Sequence, residues 1–237
     1  MLKFAAFAAL TALGVSARYG AAQQPLYANG DTLGCGKRYF SQLLGLPIYR
    51  SVQSGGTTRS YTVHLPSEYR ERDQYPAIVG FHGSSSIGLF LELDTKLDEA
   101  RFTGDKIMVY PNGVGGAWGG ANYSKTTVAQ DLQFVWDLLA DLRRNFCIDS
   151  ARIFATGFSL GGGFVDTIAC NATVGGEFAA FAPASGAFYT NNDGNYGDCK
   201  PARVPVPMLE FHGGADTDVK YGGGQGEGGR EPDVMDW

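Results

Sequence analysis

The sequence runs to 237 residues with 44% hydrophobic, 13% aromatic and 18% charged side chains, enough apolar material for one packed α/β or β-rich domain and too much for a disordered tail or a coiled coil. Glycine, at 34 residues, is about twice its usual share without a collagen-like period, so many tight turns around an aromatic scaffold are expected. Nineteen basic against 24 acidic residues give a formal charge of −5 with no basic run, which argues against a nucleic-acid partner.

Residues 1–17 carry Lys3, an apolar stretch over 4–15 and the small residues of Val15-Ser16-Ala17, the pattern of a cleaved secretion signal. The apolar stretch is shorter than the ~20 residues of a spanning helix. A secreted, extracellular protein is therefore expected, with residues 18–237 forming a single domain and a monomer and with no membrane anchor. Short apolar runs then recur at 60–65, 77–81, 107–110, 153–156, 178–182 and 208–211. Most are apolar throughout, as parallel strands covered on both faces should be. The run at 60–65 alternates and is expected near a sheet edge. Ahead of the fourth run, Val128, Leu132, Val135, Leu139, Leu142 and Phe146 recur at spacings of four and three, one stripe of a helix. Thr127 or Thr126 can cap its start, and Arg143 and Arg144 suit its negative end. Strand, helix, strand, helix in this order predicts a doubly wound, mostly parallel α/β sheet. Residues 221–229, mostly Gly, read as a loose loop.

Cys35, Cys147, Cys170 and Cys199 are an even set in an exported chain, so two disulfides are expected, with three pairings open and Cys170–Cys199 preferred. No C-x-x-C pair of a zinc site occurs, and no metal or cofactor is expected. Asn122-Tyr123-Ser124 and Asn171-Ala172-Thr173 fit the N-glycosylation acceptor.

The residues with a chemical signature cluster at run ends. Gly157-Phe158-Ser159-Leu160-Gly161 is a G-x-S-x-G sequence directly after the run at 153–156 and before a helical stretch reaching Cys170. A serine at a sharp strand-to-helix turn is held out as a nucleophile, and the flanking glycines allow strand and helix to approach. Phe81-His82-Gly83-Ser84 follows an earlier strand where the second oxyanion donor belongs, so the amides of Ser84 and Leu160 are the expected donor pair. His82 is expected to stiffen that loop by hydrogen bonding. The turn Glu210-Phe211-His212-Gly213-Gly214-Ala215-Asp216 delivers Asp216 as the triad acid, with Asp218 the rival and His212 packed in the turn. Trp118 and Tyr123, in a Gly-rich loop after the run at 107–110, could stack on a planar substrate.

From residue 34 to 224 the chain resembles the secreted feruloyl esterases of carbohydrate esterase family 1, which are related to polyhydroxybutyrate depolymerases. The resemblance rests on Phe81-His82-Gly83, Tyr110-Pro111-Asn112-Gly113 with Trp118 soon after, Phe146-Cys147-Ile148-Asp149, Ala155-Thr156-Gly157-Phe158-Ser159-Leu160-Gly161-Gly162-Gly163, Phe178-Ala179-Ala180-Phe181-Ala182-Pro183, and Pro205-Val206-Pro207 leading to the Asp216 turn. It implies an α/β-hydrolase fold and metal-free serine hydrolysis of esters joining hydroxycinnamic acids, chiefly ferulate, to arabinose on plant xylan.

One part of the pattern fails. The triad order in this fold is nucleophile, acid, histidine, and no histidine follows Asp216. His64 lies within a strand, and His82 and His212 lie in strand-end turns. The sequence is therefore expected to be a C-terminally truncated record lacking a last strand, a last helix and the base, nearly inactive and poorly soluble. Alternatives on the same scaffold are an acetyl xylan esterase or polyester depolymerase, or a non-catalytic cell-wall polysaccharide-binding protein. A serine peptidase is disfavoured, since no separate gating domain precedes the hydrolase segment.

Overall fold

A strand that is apolar at every position needs cover on both faces, and Ile107–Pro111, buried along its whole length, has it. The computed structural model describes residues 33–40, 45–189 and 199–234; the expected signal at 1–17 lies outside the described residues. In chain order the elements are β1 (Ile48–Ser54), β2 (Thr57–His64), β3 (Tyr75–Phe81), α1 (Gly88–Thr95), α2 (Ala100–Thr103), β4 (Ile107–Pro111), α3 (Val128–Asn145), β5 (Ile148–Phe158), α4 (Leu160–Ala169), α5 (Ala172–Gly175), β6 (Ala180–Ala184), β7 (Gly224–Gln225) and β8 (Arg230–Glu231). The main sheet has the order β1-β2-β4-β3-β5-β6. Its right-hand four strands, β4 to β6, run parallel, whereas β1 and β2 pair antiparallel with each other and β2 with β4.

The chain leaves β3 towards β4 on one side and returns to β5 on the other, so the strand order reverses at β3. That is the topological switch point, where the loops beyond the carboxyl ends diverge and leave a crevice. The loops after β3 and β5 are those carrying Ser84 and Ser159. Helix α1 covers one face through Leu91 against Met108 and Tyr110. On the other face, α3 and α4 cover a larger core that includes Phe81, Trp118, Phe134, Leu138, Phe146 and Phe164.

Three expectations need correction. The run at 60–65 is not the edge: β1 lies outside it, paired from Ile48↔Val63 to Ser54↔Thr57. The turn between them is Gly55-Gly56, both at positive φ (55° and 80°), the two-residue hairpin geometry only glycine adopts freely. The run at 208–211 forms no regular strand, but it lies against β6 through Leu209 N–H to Phe181 O (3.0 Å) and Phe211 N–H to Pro183 O (3.1 Å). Nor is 221–229 a loose loop: it holds the β7–β8 turn, anchored by Asn122 N–H to Gly228 O at 2.8 Å. In α3, Thr127 caps the first turn and closes a capping box with Gln130. Val128 and Leu132 of the expected stripe are only half-buried, because Phe134 and Leu138 take the inner face.

Two disulfides join Cys35 to Cys147 and Cys170 to Cys199. No helix among the described residues is long and apolar enough to cross a membrane.

Candidate active site

Ser159 stands between β5 and α4 with φ 55° and ψ −123°, a region that costs a non-glycine residue about 1–3 kcal/mol and that persists only where the surroundings over-determine it. The surroundings are all backbone. A Cβ on Gly157 would lie 2.4 Å from Gly161 O, and one on Gly161 would lie 2.1 Å from Phe81 O. Strand and helix can meet this closely only if both positions are glycine. Ser159 is fastened through its N–H to Ala184 O (3.0 Å) and through its carbonyl, which accepts from Gly163 and Ala187 (3.0 and 2.9 Å). Its side chain stays half-exposed and makes no hydrogen bond among the described residues. Helix α4 begins at the next residue, so its N-terminal partial positive charge lies directly at the hydroxyl.

The loop after β3 is pressed against this turn: a Cβ on Gly83 would sit 3.3 Å from the Ser159 Cβ. The next amide is that of Ser84, and neither it nor the amide of Leu160 donates a hydrogen bond among the described residues. Two free N–H groups thus flank Ser159 on adjoining segments. The loop is held from behind by His82, which is fully buried. Its Nδ1 donates to Gly83 O (2.7 Å) while its Nε2 accepts from Gly113 N–H (2.9 Å). Accepting at one nitrogen requires the neutral ring, and burial pushes its pKa down, consistent with that state. The Ser84 hydroxyl bonds to the Tyr123 hydroxyl at 2.5 Å.

Trp118 is not a substrate platform. It is 0% exposed, stacked on Phe164 with centroids 5.1 Å apart, with Phe81 edge-on at 5.2 Å and its Nε1 donating to His82 O at 2.9 Å. A buried indole with its N–H satisfied contributes more to the core than a flexible exposed ring would gain. Tyr123 stays half-buried, beside the site through its bond to Ser84.

Asp216 comes to the same end of the sheet. Its Oδ1 accepts from the N–H groups of Asp218 (3.0 Å) and Val219 (2.9 Å), and these backbone donors, with the Ser185 hydroxyl among further causes, hold its pKa below the usual carboxylate range. Ser185 follows the Ala184 that accepts from Ser159, and its own N–H reaches Phe211 O at 2.7 Å, so Asp216 reaches the nucleophile through two consecutive residues, Ser185 and Ala184. Asp218 is exposed.

All three histidines of the chain are engaged elsewhere than at Ser159. His64 Nδ1 is 3.1 Å from Glu92 Oε1, and His82 holds its loop. His212 donates from Nε2 to Val219 O (2.8 Å), with its Nδ1 3.2 Å from Glu210 Oε1 and its Nε2 3.9 Å from Asp216 Oδ2. Sequence reading missed Glu231. It is buried in β8 near Tyr189, His212 and Asp216, and burial raises its pKa. No motif marks it, because its position depends on a fold-back of the Gly-rich segment.

No family model matches the chain. Among curated proteins it is 28% identical over 176 residues to a probable feruloyl esterase C of Aspergillus niger, covering 70% of this chain and 58% of that protein. It is 31% identical over 169 residues to feruloyl esterase B of Piromyces equi, covering 70% of this chain and 31% of that one. The chain thus spans less than two thirds of each. Among solved structures it superposes on a ferulic acid esterase from Anaeromyces mucronatus in complex with ferulic acid, with TM-score 0.57 and 18% identity over 74% of this chain and 75% of that one. Likeness at that level carries the fold, an α/β-hydrolase.

Proposed function

We propose that this relative of the fungal feruloyl esterases is a secreted serine carboxylic ester hydrolase acting on hydroxycinnamoyl esters of plant cell-wall xylan or on small esters of the same acids. The observation that carries the reading is Ser159 itself, at φ 55° between two glycines that no other residue can replace, at the N-terminus of α4. Such a hydroxyl attacks an ester carbonyl, forming an Oγ–C bond while the carbonyl oxygen takes the negative charge. The amides of Ser84 and Leu160 receive that oxyanion, and removing one such donor in comparable enzymes costs about 10²–10³ in kcat. Collapse of the intermediate expels the sugar alcohol and leaves an acyl-serine, which water then cleaves to release the acid. Both steps need a base to take and return a proton, and Asp216 is the group that would orient it. The relatives' names supply the acyl class, and two disulfides suit an oxidising, extracellular setting.

With none of its three histidines at Ser159, the 237-residue chain should retain only the catalysis of binding and oxyanion hole, about 10³–10⁴ over water. The test is release of ferulate from methyl ferulate with and without added imidazole, which can act as an external base. The expected result is a slow rate that rises with imidazole above the level of the Ser159→Ala variant. Equal rates in the two proteins at every imidazole concentration would remove the esterase reading. Retention on insoluble xylan without Ser159-dependent turnover would instead favour the polysaccharide-binding alternative, which the unplaced base supports.

A further inference from the structure

Away from the Ser159 crevice, the far end of the β2–α1 layer holds an arrangement that ester hydrolysis does not use. His64 is the last residue of β2, Glu92 lies in α1, and Asp98 lies in the segment between α1 and α2. One donor atom from each falls within 4.8 Å of the others. His64 Nδ1 is 3.1 Å from Glu92 Oε1 and 3.7 Å from Asp98 Oδ2. These separations bracket the ligand-to-ligand edge of a tetrahedral site, about 3.3–3.6 Å for bonds of 2.0–2.2 Å to Zn²⁺. The Glu92 side chain is only 6% exposed, yet its Oε2 is buried and has no hydrogen-bond partner among the described residues. An orphaned anionic oxygen in a protein interior calls for an explanation, and the pairing with His64 accounts for the other oxygen only. His64 and Asp98 remain partly open to solvent, with side chains 18% and 24% exposed, so an ion could enter and keep a water as its last ligand.

From this geometry we infer that His64, Glu92 and Asp98 bind one divalent transition-metal ion of the Zn²⁺ class. The donor set decides the class. One imidazole with two carboxylates suits Zn²⁺ and Co²⁺, whereas Ca²⁺ and Mg²⁺ require oxygen donors throughout. Two carboxylates and a neutral imidazole balance the charge of the ion, with Glu92 Oε1, 3.1 Å from His64 Nδ1, as the glutamate ligand. The role is structural. The ion would pin the carboxyl end of β2 to α1, the helix that starts directly after the loop carrying Ser84, and no step at Ser159 passes through it.

The full chain, stripped with a chelator, is titrated with Zn²⁺ by calorimetry and with Co²⁺ by visible absorption. One ion per chain is expected, together with a d–d band for Co²⁺ and a higher thermal midpoint with Zn²⁺. Affinity should fall more than about 100-fold, beyond the roughly 10–100-fold loss produced by removing an outer-shell partner, in His64→Ala and in Asp98→Asn. His212→Ala should bind as the parent does. Asp98→Asn keeps side-chain volume at a partly exposed position, so it reports even if His64→Ala fails to fold. The inference is overturned by no binding at millimolar Zn²⁺, by parental affinity in Asp98→Asn, by loss of binding in His212→Ala, or by Ca²⁺ competing equally for the site.

Discussion

Asp166 shows what one residue can cost when a fold buries it. It lies on α4, 4% exposed, facing Glu210 across a cavity of about 390 Å³ lined also by Phe188, Val206, Met208 and the Cys170–Cys199 disulfide. Burial, reinforced by the Glu210 carboxylate, holds its pKa well above the usual value, and burial raises that of Glu210 as well. When the folded-state pKa of an acid is raised, folding carries no charge penalty below the unfolded pKa. The penalty grows as pH climbs from there through the folded pKa, because the unfolded chain gives up its proton first. Asp166→Asn is therefore expected to raise the thermal midpoint at pH 7, with the gain shrinking towards zero below about pH 4, where both states are protonated. A gain that is independent of pH would show that the substitution acts through packing instead. The same logic runs in reverse for Asp216, whose lowered pKa stabilises the fold above the unfolded value and is lost in acid.

At the scale of elements, one buried carboxylate ties the loop that encloses Trp118 to both β2 and α3. Asp131, in the first turn of α3, accepts at Oδ1 from Arg59 Nη1 (2.8 Å) and at Oδ2 from Gly119 N–H and Thr126 Oγ1 (both 2.7 Å). Arg59, on β2, also lies over the Phe134 ring at 4.0 Å. Pair members are 4% and 0% exposed. Asp131→Ala would strand a buried guanidinium and release a loop, so unfolding free energy in urea should fall by about 3–5 kcal/mol. Replacing both residues with apolar ones of similar volume should cost much less, because no uncompensated charge remains. A loss below 1 kcal/mol in the single variant would mean that the aromatic contacts of Trp118 and the hydrogen bonds to His82 hold the loop without Asp131.

For the whole molecule, the disulfides close the longest covalent loops. Cys35–Cys147 spans 112 residues and fastens the segment before β1 to the junction of α3 and β5, while Cys170–Cys199 spans 29 and joins the end of α4 to the segment lying beside β6. Loop-closure entropy predicts that loss of the first destabilises by about 5 kcal/mol and of the second by about 4. Paired Cys→Ser variants measured in urea should follow that order, and the reverse order would show that local packing outweighs chain entropy. Beside β6 the sheet presents Leu209 and Phe211, 59% and 57% exposed on alternate positions of one segment, the kind of apolar surface that promotes self-association.

What the sequence determined by itself was everything local. The spacing of Leu139 and Leu142 yields α3, the apolar runs at 77–81 and 107–110 yield β3 and β4, and the five residues around Ser159 specify a strained turn because only glycine tolerates the backbone contacts on either side. The hairpin of β1 is also written locally, in Gly55-Gly56 between alternating residues. The rest depended on residues far apart in the chain. The burial of Trp118 needed Phe81 and Phe164 to reach it, the fold-back that buries Glu231 needed Tyr189, and the His64 cluster needed α1 to dock beside β2. Periodicity records which face of an element is apolar; only packing decides what that face meets.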